Sequence, residues 1–275
     1  MEVIAVLLAA FLHAAWNGLL KHSRNQTRSL IVNRCVAAIA GLALVIYLPP
    51  IQEAAWPYLL VASAIHLVYF FSLLGSYKNG DFSQVYPVSR GLAPVIILSV
   101  SMFIGIDSIS VKEGLGVLIV SLGILLLATK GMASQVKPLF FALLTAFCIA
   151  GYTLSSGMGV RAAGNFLIYA AYLELVSGAL FVLTASLFRW RYLAWNEYSV
   201  RLLKRDGFGG TMAVLGFGVA LWAMANISIA TVSALRETSV IFAVLIAWFV
   251  LKEKQAKQRV FAACIVAIGV VLISF

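Results

Sequence analysis

Apolar residues run along this chain in long stretches broken by brief polar or charged segments. Ten such runs stand out, at roughly 3–20, 30–48, 57–77, 82–104, 114–129, 138–157, 165–188, 208–227, 230–251 and 260–275. A helix crossing a bilayer needs about 20 mostly apolar residues, and most runs approach that length. Strands of a membrane β-barrel would alternate apolar and polar residues over about 10 positions, which these runs do not. The pattern predicts an all-α integral membrane protein with ten transmembrane helices and short connections. Only residues 189–207 are expected to form a longer loop.

Composition agrees: 63% of the residues are hydrophobic and 11% charged, against about 45–50% and 25% in soluble domains. The net charge of +10 would suit nucleic acid, but its placement points to a membrane instead. Of the 20 Lys and Arg, fifteen fall in loops after the odd-numbered helices, and only Lys112 and Arg161 fall in loops on the other side. Arg34, Arg90 and Arg236 lie inside helices. Positive residues collect on the cytoplasmic face, so a plasma or inner membrane protein is expected, with both termini outside and no nucleic-acid partner. The opening run lacks a positive n-region and carries His13, Trp16 and Asn17 where small residues would mark cleavage, so it is expected to stay as helix 1. Cys35, Cys148 and Cys264 stand singly with no metal-ligand spacing, and are expected as buried, unpaired thiols. No metal or other cofactor is implied.

An internal repeat organises the chain. Laying 82–129 over 228–275 without a gap, the distance from Arg90 to Arg236, superposes Phe103 on Phe249, Asp107 on Glu253, Ile119 on Ile265, Gly123 on Gly269 and Leu126 on Leu272. Earlier in each half, Ala10, Phe11 and Ala14 match Ala146, Phe147 and Ala150 at an offset shorter by ten, the length of an insertion near Arg189–Gly207. The halves are 1–136 and 137–275, divided in the Gly131–Pro138 link. Five helices per half is an odd number, so the repeats are expected to be inverted, with a shared site near the membrane midplane. Pro87 and Pro94 are expected to kink helix 4 near that site. Gly114, Gly116 and Gly123 in helix 5 suit close helix packing, or the face of a homodimer.

Tyr86-Pro87-Val88-Ser89-Arg90-Gly91 in helix 4, Ala234-Leu235-Arg236-Glu237-Thr238-Ser239 in helix 9, and an acidic residue just after each helix resemble the EamA branch of the drug/metabolite transporter superfamily. The resemblance covers the whole chain. It implies metabolite efflux by alternating access around a cavity lined by helices 1, 3, 4, 6, 8 and 9, with helices 5 and 10 peripheral. The family's Gly-Glu after helices 4 and 9 is replaced here by Gly105-Ile106-Asp107 and Leu251-Lys252-Glu253. Members are often placed with both termini in the cytoplasm, whereas the charges of this chain put them outside.

An arginine inside a bilayer faces protein or water and needs an anion. Arg90 and Arg236 therefore read as grips for a carboxylate or phosphate-like group, through the fixed guanidinium fork, or as structural partners of carbonyls or a helix carboxylate. Glu237 follows Arg236, but neighbours on a helix point about 100° apart, so its partner lies elsewhere. It reads either as a proton-coupling carboxylate or as half of a structural ion pair. Arg34 and Glu174, on corresponding helices of the two halves, read as a structural bridge. Tyr86, His13, Trp16, Asn17, Tyr69, Tyr152 and Trp222, with His66 and Asn226, supply aromatic and polar surface for substrate, each also open to a packing or interface role.

No Gly-x-x-x-x-Gly-Lys loop is present, so energy is expected from a gradient. The leading reading is a secondary transporter, an exporter, of a small polar metabolite such as an amino acid or related organic anion or zwitterion. A flippase for a lipid or lipid-linked metabolite is the alternative. An intramembrane enzyme is less favoured, since His-Glu-x-x-His, Gly-x-Ser-x-Gly and paired catalytic carboxylates are absent. The expected partners are the substrate and membrane lipids. A reporter fused to the C-terminus should register the outer side and one fused after Lys204 the cytoplasm; a cytoplasmic C-terminus would reverse the orientation.

Overall fold

The structure, a computed structural model, describes residues 2–79, 82–126, 136–189, 195, 198–242 and 257–274, without the side chains of 77, 82–87, 189, 257–260 and 274. Its helices are α1 (Glu2–Lys21), α2 (Gln26–Tyr47), α3 (Trp56–Asn79), α4 (Phe82–Ile104), α5 (Val111–Leu125), α6 (Val136–Ala162), α7 (Phe166–Arg189), α8 (Val200–Asn226), α9 (Ile229–Arg236) and α10 (Lys257–Ser274). Among the described residues, α1, α2, α3, α6, α7 and α8 carry apolar stretches long enough to cross a membrane, and those of α4 and α10 are shorter. Phe249, Glu253 and most of the Gly131–Pro138 link lie outside the described residues.

Local chemistry sets the helix ends. Asn25, Ser199 and Ser228 accept backbone N–H bonds from Arg28, Leu202 and Thr231, and Ser110 with Glu113 closes a capping box ahead of α5. Gly105 and Gly164, at φ of 71° and 65°, end α4 and α6 in the left-handed conformation that glycine adopts without penalty. The Ser199 cap also corrects an expectation. Val200–Gly207 is the first part of α8 and not loop, because Asp206 is buried, where it accepts from Tyr198 and Arg205, while Arg201 and Lys204 stay exposed. Burial, and then the Asp206 carboxylate, hold the Tyr198 phenol above the ordinary tyrosine range.

The strongest packing pairs α3 with α6, α1 with α8, α2 with α7, and α5 with α10. Small residues permit it. A Cβ on Gly41 would stand 2.5 Å from the Ala171 carbonyl oxygen, and one on Gly178 would stand 2.9 Å from that of Arg34, so α2 and α7 meet backbone to backbone. Gly116 and Gly123 face α10, and Gly269 returns the contact. These two glycines are thus occupied within the chain, whereas Gly114 has nothing within 4 Å of its Cβ position. Cys148 is buried and Cys35 partly so, but Cys264 is exposed on the outer face of α10, against the expectation of burial.

Among the described residues two large apolar clusters fill the interior, and a smaller third one lies between α5 and α10 around Val120, Ile124 and Val266. The first joins the start of α3, the α6–α7 turn, the end of α8 and α9; the second joins α1, α2 and the inner lengths of α3, α6 and α7. Gly41→Ala should lower thermal stability by about 1–3 kcal/mol, the usual cost of overpacking, because the obstruction is backbone. Gly218→Ala, with nothing within 4 Å of its Cβ position, should keep or raise stability, as helix propensity favours Ala by up to about 1 kcal/mol. Unfolding curves in detergent check both, and equal effects would contradict the packing account.

Candidate functional site

The site begins where α9 stops. The amides of Glu237, Thr238, Val240 and Ile241 bond to the carbonyls of Ala234, Leu235, Glu237 and Thr238, three residues back, at 2.9–3.1 Å. This tightened stretch interrupts an apolar segment expected to be one continuous helix, and Thr238 Oγ1 donates to the Leu235 carbonyl at 2.7 Å beside it. Such a stretch within a helix often marks a functional hinge.

Arg236 and Glu237, at the end of α9, point in different directions. Glu237, 1% exposed, meets Arg90 of α4 side-on: Nε donates to Oε2 at 2.9 Å and Nη2 stands 2.9 Å from Oε1. The partner that Glu237 needed is therefore Arg90, 147 residues earlier in the chain. Arg236 turns instead to a cavity, with its guanidinium carbon 5.5 Å from the Phe217 ring centre. Arg236 is 5% exposed, yet among the described residues it has no ion-pair or hydrogen-bond partner.

The cavity encloses about 40 Å³, within about 430 Å³ of empty space that runs out through its opening. His13 and Trp16 of α1, Arg34 of α2, His66, Tyr69 and Phe70 of α3, Tyr152 of α6, Glu174 and Ser177 of α7, Ala213 and Phe217 of α8, and Arg236 of α9 line it. His66 stacks on Tyr152 at 4.1 Å and meets Phe217 edge-on at 5.6 Å, and its Nδ1 lies 2.9 Å from the Ala62 carbonyl oxygen. A carbonyl only accepts, so that nitrogen carries the proton. On the opposite wall the Trp16 indole donates to His13 Nδ1 at 3.3 Å, leaving the His13 proton on Nε2 when the ring is neutral.

Arg34 and Glu174 pair as expected, but on the cavity wall. Arg34 Nη1 lies 3.2 Å from Glu174 Oε2, its Nε and Nη2 donate to Asn33 Oδ1 at 2.9 and 2.6 Å, and its guanidinium covers the Phe70 ring at 5.0 Å. Among the described residues, the charged side chains on the wall are thus two arginines and one carboxylate.

Of the residues singled out by sequence, Arg236, His13, Trp16, Tyr69 and Tyr152 meet at the cavity. Arg90 and Glu237 lie beside it, engaged with each other. Asn17 is buried with Nδ2 donating to the His13 carbonyl, and Trp222 packs on the first apolar cluster, away from the cavity lining. The side chains of Tyr86 and Pro87 lie outside the described residues. Among the described residues, α2 and α7 line the cavity and none of α4 does, unlike the lining implied by resemblance. Arg34, Glu174, Phe70, Ser177 and Phe217 were missed as site residues, although the charged pair on corresponding helices was a visible signal.

A second charged cluster closes the end where α6 meets α7 and α8 meets α9. Arg161 pairs with Asp107 at 2.7 Å and donates to the Met224 and Ile227 carbonyls at 3.0 Å, while Asp107 Oδ2 accepts from the Ile229 amide at 2.8 Å. One of the two cations on the basic-poor side thereby ties the α4–α5 loop to α6, α8 and α9.

Removing one member of a buried ion pair strands the other, at about 3–5 kcal/mol, whereas replacing both by apolar residues can be neutral. Arg90→Met and Glu237→Leu should each lower thermal stability by that order, and the double variant should recover most of the loss. Single variants as stable as the wild type would show that the pair does not hold α4 to α9.

No curated protein matches the chain. Among solved structures, 28 chains match. One, described only as "Crystal structure of protein", superposes with a TM-score of 0.72 at 16% identity, covering 99% of this chain and 95% of its own, and so shares the fold. A model of the EamA-like transporter family matches residues 136–275, half of the chain. With its apolar helices, and with Arg236 and Glu237 inside the matched segment, this multi-pass membrane protein belongs to the EamA-like transporter family of the drug/metabolite transporter superfamily.

Proposed function

We propose that the protein is a secondary exporter that lets a small organic anion or zwitterion bearing a carboxylate out of the cell, with Arg236 as the anion grip. The observation that carries this reading is the unpaired state of Arg236 among the described residues. A guanidinium 5% exposed, with no carboxylate of its own, lines a cavity whose charged walls hold two cations and one anion. A monoanionic ligand would balance them. The enclosed space is about 40 Å³, below the roughly 300–1,000 Å³ usual for small-molecule sites, so a ligand enters as the walls part; the stacked His66 and Tyr152 rings and the edge-on Phe217 offer a surface for a ring or an apolar side chain.

Sequence symmetry supports the choice between the two arginines. The shift that lays Arg90 on Arg236 lays Gly91 on Glu237. The first half therefore lacks the carboxylate that the second half supplies, and Arg90 takes the only one of this type. In this reading the two halves are inverted repeats that rock about the cavity, the hinge in α9 moves with them, and the termini lie outside. The reciprocal packing of α3 with α6 and of α1 with α8 supports that symmetry.

A thermal-shift panel of monocarboxylates, dicarboxylates, amino acids, amines and lipid headgroups tests the reading. A ligand at 100 times its Kd should stabilise the wild type by about 2.7 kcal/mol, and carboxylates should do so where amines do not. Arg236→Ala should bind the same carboxylate about 10- to 100-fold more weakly, as expected from losing hydrogen bonds to a charged group worth about 1.5–3 kcal/mol. Arg236→Lys should recover part of that affinity. No response to any carboxylate, or an Arg236→Ala variant that binds as the wild type does, sinks the proposal.

A further inference from the structure

The two carboxylates at and beside the cavity are held differently. Glu237 is locked to Arg90 by two contacts of 2.9 Å behind the wall, whereas Glu174 lies on the cavity and touches Arg34 through one 3.2 Å contact. Arg34 does not depend on Glu174 for its position. Asn33 Oδ1 holds Nε and Nη2 at 2.9 and 2.6 Å, and the Phe70 ring supports the guanidinium from the side. Neutralising Glu174 would therefore leave Arg34 in place with its charge unanswered, facing the same space as Arg236. A ligand carboxylate and the Glu174 carboxylate would compete for one Nη1 donor.

We infer that Arg34, Asn33 and Glu174 form a proton-operated second anion subsite, in which protonation of Glu174 releases Arg34 to the carboxylate of the transported metabolite. The step balances: a proton from the aqueous opening forms an O–H bond on Glu174, the Arg34–Glu174 ion pair breaks, and a ligand carboxylate replaces it at Arg34. Wall charge plus ligand charge is unchanged when a monoanion and a proton enter together. Proton and anion then travel in the same direction, so export runs when the outward gradient of the metabolite exceeds the opposing proton gradient. Among the described residues, the other titratable or charged side chains on the wall are His13 of α1, His66 and Tyr69 of α3, Tyr152 of α6 and Arg236 of α9. The His66 Nδ1 proton is committed to Ala62, and His13 Nδ1 is occupied by the Trp16 indole, which leaves Glu174 as the wall group whose protonation frees a cation.

The inference rests on the anion-site reading of the cavity, and benzoate, an aromatic monocarboxylate suited to these walls, separates the two. Its affinity for the full-length protein in detergent micelles is followed by Trp fluorescence, Trp16 lying on the wall, over the pH range where benzoate stays ionised. Wild-type Kd should fall about tenfold per unit decrease in pH, the slope for one linked proton, and calorimetry in buffers of differing ionisation enthalpy should register one proton taken up per benzoate. Glu174→Gln should bind benzoate at least as tightly as the wild type does at its most acidic point, with a flat pH profile and no proton uptake. If Glu174→Gln fails to fold, the wild-type proton count still decides. Benzoate binding that is independent of pH and takes up no proton overturns the inference while leaving the Arg236 site standing, as does a Glu174→Gln variant with the wild-type slope. Absence of benzoate binding to the wild type at any pH overturns the anion-site reading and this inference together.

Discussion

Arginines buried among apolar helices must each be answered, and the molecule is arranged around how Arg34, Arg90 and Arg236 are met. All three are at least 94% buried. The desolvation cost of such a charge amounts to several kcal/mol even after relaxation, so the surrounding structure has to supply carboxylates, amide oxygens or ring faces. Arg90 receives Glu237; Arg34 receives Asn33, Glu174 and the face of Phe70; Arg236 receives only the face of Phe217 among the described residues. The order of these environments, from a two-contact ion pair to a lone ring, is also an order of availability to a ligand.

The interruption of α9 follows from the same constraint. On a regular helix, Arg236 and Glu237 are about 100° apart, which allows one to face the cavity and the other α4. The bonds to carbonyls three residues back tighten the backbone where this divergence is needed, and the Thr238 hydroxyl adds a bond to the Leu235 carbonyl. Irregular backbone inside a membrane is tolerated where protein or a cavity surrounds it, and here α9 packs against α1 and α4 while its last residue, Arg236, lines the cavity.

Much of the fold was legible because a spanning helix has to be apolar nearly throughout, and little else in the sequence imitates that. The legibility ended where the rule weakens. Val200–Gly207 carries Arg201, Lys204 and Arg205 and read as loop, although a Ser199 cap and a buried Asp206 make it helix. The α9 break has no glycine or proline to announce it. At the site, the arginines, His13, Trp16, Tyr69 and Tyr152 were visible as polar or aromatic residues in apolar runs. Which arginine faces the cavity was not visible, because facing depends on helix rotation and on a contact 147 residues away, between Arg90 and Glu237. The cavity role of Arg34 and Glu174 was hidden by their being a pair, since a satisfied pair looks structural until its position on a wall is known.

In the proposed inverted-repeat reading, symmetry between the halves accounts for the scaffold and its violation for the anion site. Gly116, Gly123 and Gly269 bring α5 against α10, and Gly41 and Gly178 bring α2 against α7. A site built with the same symmetry would pair both repeat arginines with neighbouring carboxylates and leave no charge for a ligand. Gly91 in place of an acidic residue removes one partner, and Arg236 is left with a ring and a cavity. The second asymmetry is across α2 and α7, where Arg34 stands on one helix and Glu174 on the other, so a cation and an anion meet on the wall where like residues would have repelled. In that reading these two departures leave the described wall one positive charge in excess beside a carboxylate, the arrangement from which the proposed anion site is argued.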